Sequence, residues 1–168
     1  MRLKNAAGEG TRRVNGAPMP SIGFVEVLEA ARATSHWDAP LDGPNRGRGV
    51  AAGFWGNAPG QASMTATVLH DGTVGLLEGS PDIGGSRVVA AMAFAEEMGI
   101  AVEDVRPNIG DTDSVGFTSL TGGSSTAFKQ TAVAKEVAID IKKQMCARAA
   151  TMWGVAADDL SYADGVFA

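Results

Sequence analysis

The chain has 168 residues, of which 45% are hydrophobic, and carries a formal net charge of −5. This length and composition predict one folded domain with a hydrophobic core and exclude an intrinsically disordered chain. The basic residues are scattered, so nucleic acid is not an expected partner. A single cysteine, Cys146, excludes a disulfide framework and fits a reducing, cytoplasmic location. Neither a signal peptide nor a run of about 18 apolar residues is present, so no membrane contact is expected.

Residues 1–48 are predicted to be a linker-like segment with one short helix. Glycine and proline recur in residues 11–20 and again in residues 38–48, a composition that favours turns. Between these stretches, apolar residues from Phe24 to Ala31 are spaced as on one helical face, and Ser21 is the predicted N-cap. We therefore expect the main domain to begin at residue 49.

Residues 49–168 are predicted to form an α+β domain that is truncated at its C-terminal end. Strands are predicted at 49–55, 62–69, 73–78 and 105–109, with another beginning near residue 160. An Asp-Gly pair at 71–72 predicts a tight hairpin. Helices are predicted at 86–98 and 126–153, each followed by a glycine that suits a C-cap. We expect a mixed sheet of about four or five strands with these two main helices packed on one face.

A glycine-rich stretch at residues 78–87 reads E-G-S-P-D-I-G-G-S-R and leads directly into the first main helix. Gly84 and Gly85 let the backbone approach a ligand closely, and Ser86 is the expected helix cap. Free N–H groups at a helix start attract anions. Arg87 is either a phosphate ligand or an exposed helix residue. The stretch therefore predicts an anion-binding loop.

A second glycine- and serine-rich passage, residues 110–126, leads into the longer helix. Its candidate binding residues lie near its two ends and are Asp111, Thr112, Asp113, Gly122, Gly123, Ser124 and Ser125. The two aspartates are expected to cap turns or to accept hydrogen bonds from a ligand, since they would repel phosphate. The two serines are expected to cap the helix first and to contact ligand second. Two such loops predict one extended, phosphate-bearing ligand held at two points.

Other common sites find little support in the sequence. No Walker-type nucleotide loop is present. Gly47, Gly49 and Ala52 match the spacing of a dinucleotide-binding fingerprint, but they precede a predicted strand instead of joining a strand to a helix. His36 and His70 have no partner at metal-ligand spacing. No metal-binding residue is therefore predicted.

Five segments follow one another along the chain: G-R-G-V-A, then D-G-T-V, then E-G-S-P-D-I-G-G-S-R with A-A-M-A-F-A-E-E-M-G-I, then V-R-P-N-I-G-D-T-D, and T-G-G-S-S-T. Together they resemble the molybdopterin-binding large subunit of the xanthine dehydrogenase and aldehyde oxidase family. The resemblance covers nearly the whole chain, which would make it an internal fragment of a longer subunit. It implies the α+β fold of a molybdenum-cofactor-binding domain.

The resemblance also implies an activity. Members of this family are oxidoreductases that hydroxylate aldehydes or aromatic heterocycles at molybdenum, with water as the oxygen source. The pterin holds the metal, so the protein binds the pterin, its phosphates and an attached nucleotide, which is expected to be cytosine. Gly84, Gly85 and Ser86 correspond to the first cofactor loop of the family. Residues 111–113 and 122–125 correspond to the second.

Two departures from the family pattern bear on these roles. Many relatives have a cofactor-binding glutamine where this chain has Gly85, and an arginine where it has Ser125. The general-base glutamate of the family lies beyond this chain, and Glu78, Glu96 and Glu97 are interpreted as solvated or loop-end carboxylates. No catalytic residue is therefore assigned, and the segment alone is expected to be inactive.

The expected partners are the remaining domains of the large subunit, an iron–sulfur subunit and an FAD subunit. A homo-oligomer that forms through an exposed docking surface is also compatible with the sequence. The alternative function is a stand-alone fragment or remnant that acts only as a binding or assembly module without catalysis. The sequence leaves open whether the isolated chain holds the cofactor.

Overall fold

The computed structural model of this protein describes residues 1–56 and 60–168. The chain forms two compact units, Met1–Gly53 and Phe54–Ala168. The domain boundary that we expect between residues 48 and 49 stays a prediction.

Little regular structure is found in the first unit. A 3-10 helix covers Leu3–Asn5, and two helices follow, α1 at Phe24–Arg32 and α2 at Ser35–Asp38. Helix α1 confirms the predicted short helix, but its N-cap residue is Gly23 and not Ser21. Ser21 lies too far upstream for its hydroxyl group to reach the first free N–H groups of the helix.

The prediction of a strand at residues 49–55 is wrong, because residues 49–56 form neither helix nor strand. Gly49, Gly53 and Gly56 interrupt this segment, and glycine weakens a strand through its backbone freedom. Valine and aromatic residues suggested a strand here, but a strand also needs a neighbour with which to pair.

The second unit is built around a three-stranded mixed sheet and two long helices. In chain order its elements are β1 at Met64–Val68, β2 at Val74–Glu78, α3 at Ser86–Met98, β3 at Val105–Ile109 and α4 at Thr126–Trp153. Strand β2 lies in the middle, antiparallel to β1 and parallel to β3. This arrangement confirms the predicted α+β fold with a mixed sheet, and both main helices have the predicted limits.

A tight turn joins β1 to β2, as the Asp-Gly pair predicts. Gly72 has a φ angle of +85°. The Asp71 carboxylate accepts hydrogen bonds from the backbone N–H and the hydroxyl group of Thr73, at 3.0 and 2.7 Å. The side chain thus closes the turn, and the positive φ angle requires glycine at its tip.

The end of the chain forms a small hairpin of its own, with β4 at Tyr162–Ala163 and β5 at Val166–Phe167. The strand predicted near residue 160 therefore exists, but it pairs locally and does not extend the main sheet. With the segment at 49–56 also unpaired, the main sheet has three strands within the described residues, fewer than predicted. The Tyr162 hydroxyl group donates a 3.0 Å hydrogen bond to the Met98 carbonyl oxygen at the end of α3.

The hydrophobic core lies between the sheet and one face formed by α3 and α4. Val74 and Leu76 point from β2 toward the helices, because alternate residues of a strand share a face. Phe94 is fully buried against them. Ala90 of α3 and Ala134 of α4 are also fully buried, and such small side chains let helices approach closely.

Both helices start at the same edge of the sheet. Helix α3 connects the parallel strands β2 and β3, so it must begin at the carboxyl end of β2 and run back along the sheet. Helix α4 begins beside the start of α3, and Lys142 further along it donates a 2.9 Å hydrogen bond to the Glu97 carbonyl oxygen near the end of α3. The two helices therefore run in the same direction, with their N-termini side by side.

Glu78 is buried, whereas the sequence suggested a solvated or loop-end carboxylate. It is the last residue of β2 and shares the helix-facing side with Val74 and Leu76; its exposure is 1%. Within the described residues its carboxylate oxygens have no hydrogen-bond partner, as is also true of the polar side-chain atoms of Ser80 and Gln130. Burial raises the pKa of Glu78 to about 7, with the Asp82 carboxylate adding to this effect.

We predict that replacing Phe94 with alanine destabilises the second unit strongly. A buried aromatic side chain contributes about 3–5 kcal/mol relative to alanine, because its removal leaves a cavity. Val88→Ala, at a half-exposed position of the same helix, should cost less than about 1 kcal/mol. Urea unfolding followed by circular dichroism measures both, and equal losses would show that Phe94 is not a core residue.

Glu78 also predicts a pH dependence of stability. The pKa of its carboxyl group is 4.5 in an unfolded chain and about 7 in the folded protein. As the pH rises through this interval, the unfolded chain releases its proton first, so the free energy of unfolding falls by up to roughly 3 kcal/mol and then levels off. Glu78→Gln should remove this fall, whereas Glu96→Gln, at an exposed site on α3, should keep it. Unfolding curves between about pH 4 and pH 8 test the difference. Parallel pH profiles for wild type and Glu78→Gln would contradict the assignment.

Candidate functional site

A cleft of about 390 Å³ lies between the N-termini of α3 and α4. The two loops singled out in the sequence meet there: Gly84 and Ser86 come from the first, and Gly122 and Ser124 from the second. The remaining lining residues are Ile83, Val89, Thr121, Thr126 and Ala127. The structure thus brings together two passages that are far apart in the sequence.

The electrostatics of the cleft come from the backbone. All of its lining residues are uncharged. Each helix N-terminus carries the equivalent of roughly half a positive charge, because its first N–H groups have no partner within the helix. Two parallel helices direct two such termini to the same space. The Asp82 carboxylate, which accepts a hydrogen bond from the Arg87 N–H group, offsets part of this positive charge at α3.

The first loop turns sharply through two glycines. Gly84 and Gly85 have φ angles of +63° and +86°, and a Cβ atom at either position would meet nothing within 4 Å. Gly84 lines the cleft, and Gly85 is the N-cap residue of α3. Their positive φ angles explain why glycine is used, and the open space leaves room for a ligand close to the backbone.

Asp82 stabilises the start of α3, a role that we expected of Ser86. Its carboxylate accepts hydrogen bonds from the backbone N–H of Arg87 at 3.3 Å and from the Ser86 hydroxyl group at 3.4 Å. Ser86 is the first residue inside the helix and makes no capping bond, so the prediction that it caps the helix is wrong.

The Arg87 side chain forms an ion pair with Asp82, with Nε 3.1 Å from the carboxylate, and is half exposed. It does not line the cleft. The structure therefore places Arg87 on the outer side of the first loop, where it holds the loop together.

The second loop also uses left-handed backbone. Gly123 and Ser124 have φ angles of +62° and +56°. For a residue with a side chain this conformation is strained, and such strain is found most often at functional sites. Ser125 is the N-cap residue of α4, but its buried hydroxyl group donates to the Gly122 carbonyl oxygen at 2.7 Å and makes no capping bond. The expected side-chain cap at Ser125 is therefore wrong, because this hydroxyl group braces the loop.

Asp111, Thr112 and Asp113 lie away from this cleft. Asp111 and Thr112 line a separate pocket of about 410 Å³, together with Gly79, Gly110, Val115, Gly116, Phe117 and Thr118. The Asp111 carboxylate accepts bonds from the Ser114 hydroxyl group and from the Ser114 and Asp113 N–H groups, at 2.8, 2.9 and 3.0 Å. The hydrogen bond from the Ser114 hydroxyl group lowers the pKa of Asp111 most. Asp111 thus closes a turn, which is one of the two roles expected of it.

Several residues of the site escaped the sequence analysis. Thr121 and Thr126 flank the second loop and add hydroxyl groups to the cleft, while Ile83 and Val89 form an apolar wall. Thr121 and Thr126 lie inside the glycine-serine passage, so their positions were a usable signal. The wall follows from the fold, because Val89 reaches the cleft only when α3 and α4 lie side by side.

Residues 1–56 and 60–168 contain no cluster of three or more histidine, cysteine, aspartate or glutamate side chains able to hold a metal ion. Over the same residues, no helix has both the length and the hydrophobicity needed to cross a bilayer.

The fold and sequence both match known molybdenum enzymes. The chain is similar to a Cu,Mo-CO dehydrogenase in the carbon monoxide-reduced state, with 27% identity and a TM-score of 0.57 over 63% of this chain and 14% of that one. Reconstituted CO dehydrogenase from Oligotropha carboxidovorans gives 28% identity and a TM-score of 0.56, over 63% and 13%. Quinoline 2-oxidoreductase from Pseudomonas putida 86, at 18% identity and a TM-score of 0.50 over 64% and 14%, supports the fold alone.

No curated protein sequence matches the chain. The chain spans about one seventh of the length of the solved structures above. The family described as the molybdopterin cofactor-binding domain matches residues 24–168. This match confirms the resemblance inferred from the sequence motifs: the chain belongs to the molybdopterin cofactor-binding domain family of the molybdenum hydroxylases.

Proposed function

We propose that the cleft between α3 and α4 binds the phosphate-bearing part of a molybdopterin cofactor, within a larger molybdenum hydroxylase. One observation carries the proposal: two glycine loops and two parallel helix N-termini converge on a single uncharged cleft. An anion at such a place is stabilised by backbone N–H groups without any basic side chain.

The residues present fit such a group. Gly84 and Gly85 leave the backbone uncovered on one side, so an oxygen atom can come close to their N–H groups. Thr121, Ser124 and Thr126 supply residues with hydroxyl groups on the other side. In this arrangement the first loop and the second loop hold the cofactor from two directions, and the apolar wall limits the access of water.

The other predicted binding residues have different proposed roles. Gly85, Gly123 and Ser125 shape the loops, and the Arg87–Asp82 ion pair fixes the first of them. Asp111, Thr112 and Asp113 are proposed to contact neutral, hydrogen-bond-donating parts of the cofactor, such as ribose or pterin nitrogen atoms, since a carboxylate would repel phosphate. The family resemblance supports a dinucleotide form with cytosine.

The reaction belongs to the complete enzyme. When bound there, the molybdenum cofactor would supply hydroxylation of an aldehyde or an aromatic heterocycle with oxygen from water. The residues of this chain bind and orient the cofactor. We propose that the remaining large-subunit domains and the iron–sulfur and FAD subunits complete the enzyme, in the cytoplasm.

Gly84→Ala is predicted to impair cofactor binding, because its methyl group would occupy the open space beside the cleft. Gly154→Ala is the matched control: Gly154 also has a positive φ angle, +69°, and open space around it, but it ends α4 away from the cleft. Each substitution should cost about 1 kcal/mol of stability through backbone strain. Only Gly84→Ala should lower cofactor content, by about tenfold at limiting cofactor.

The measurement uses chains purified from cells that make molybdopterin. Molybdenum is quantified by mass spectrometry, and the released pterin by fluorescence after oxidation. Wild-type chain without molybdenum or pterin at any stoichiometry would refute binding by this chain alone. An equal loss in both glycine variants would mean that stability, and not the cleft, controls retention.

A further inference from the structure

We propose that Lys129 is a positioning residue for the second loop. It holds the loop with its carbonyl groups turned toward the lysine and its N–H groups turned toward the cleft. The inference deepens the function proposed above and rests on it for the identity of the ligand. It concerns a side chain that does not itself line the cleft.

Lys129 is buried, with 3% of its surface exposed. Its ammonium group donates to the carbonyl oxygens of Ser119 and Leu120, at 2.6 and 3.0 Å, and lies 3.3 Å from the Ser119 hydroxyl group. A lysine ammonium group has three donors, so these contacts satisfy it. A buried lysine is rare, because burying the charge costs several kcal/mol unless it is well compensated.

These bonds determine which way the neighbouring N–H groups point. A trans peptide unit holds its C=O and N–H groups in opposite directions, and the described chain has no cis peptide bonds. When the carbonyl groups of Ser119 and Leu120 turn toward Lys129, the N–H groups of Leu120 and Thr121 must turn away from it. Thr121 lines the cleft. The lysine thus excludes carbonyl oxygens from the side where an anion would bind.

The segment is also fixed from its other end. The Ser119 N–H group and hydroxyl group both donate to the Gln61 carbonyl oxygen, at 2.9 and 3.0 Å. Residues 119 and 120 are therefore held between the segment just before β1 and the first turns of α4. Because these two residues are fixed, the backbone of residues 121–124 starts from a fixed position and in a fixed direction.

The location of Lys129 supports a role beyond simple packing. It lies close to the start of α4, where a positive charge is unfavourable because the helix N-terminus is itself positive. An apolar residue would fill this space without that penalty. A cation here does, however, increase the positive potential below a cleft that has no charged lining residue, which favours an anionic ligand.

Amide hydrogen exchange of the ligand-free chain tests the positioning role without any cofactor. In Lys129→Met, which keeps the length of the side chain but has no donors, exchange at residues 120–124 should be about tenfold faster than in wild type. Lys129→Gln retains donors and should recover part of the protection. Lys143→Met, at an exposed site of the same helix, should match wild type. Unchanged exchange at residues 120–124 in Lys129→Met, or a uniform increase throughout α4 and the sheet, would overturn the proposal.

Cofactor content separates this inference from the proposed function. In chains from molybdopterin-producing cells, pterin content should be lowest in Lys129→Met and intermediate in Lys129→Gln. Lys143→Met should contain as much pterin as wild type. If Lys129→Met shows faster amide exchange at residues 120–124 but keeps full pterin content, a role in ligand positioning is refuted. If wild type contains no pterin, the function proposed for the isolated chain fails, while the exchange experiment still decides whether Lys129 orders the loop.

Discussion

The close side-by-side packing of α3 and α4 is the constraint on which the site depends. Alanines at the interface, among them Ala90 and Ala134, let the two helices approach, and the connection from β2 through α3 to β3 fixes the direction of the first. Both glycine loops therefore arrive at one edge of the sheet. The location of the proposed cleft agrees with the general rule that ligands bind at the carboxyl ends of parallel strands.

Local sequence patterns predicted the regular elements of the second unit well. Alternation and an Asp-Gly turn identified the β1–β2 hairpin, and apolar spacing followed by Gly99 and Gly154 identified the limits of both long helices. The wrong predictions concern the pairing of strands. Residues 49–55 have strand-forming side chains but no neighbouring strand, and the strands near residue 160 pair with each other. Pairing is a tertiary property that side-chain propensity does not report.

The candidate site shows the same difference between local features, which the sequence predicts, and tertiary contacts, which it does not. Glycines followed by a helix pattern were enough to predict two sharp turns that each lead into a helix, because this geometry is local. The inward direction of Glu78 was also available, since it continues the alternation of Val74 and Leu76. Asp111 could not be separated from the cleft by sequence, and no sequence pattern singled out Lys129, which the fold buries. Their roles depend on which backbone atoms the fold brings near them.

Two helices that run in the same direction also place like ends of their dipoles next to each other. The apolar interface between them offsets this repulsion. An anion between the two N-termini would turn the repulsive arrangement into an attractive one, so filling the cleft would strengthen the packing of α3 on α4 as well as occupy a site. Folding and ligand binding are then linked equilibria, and the supply of ligand in the cell would set how much of this domain survives proteolysis.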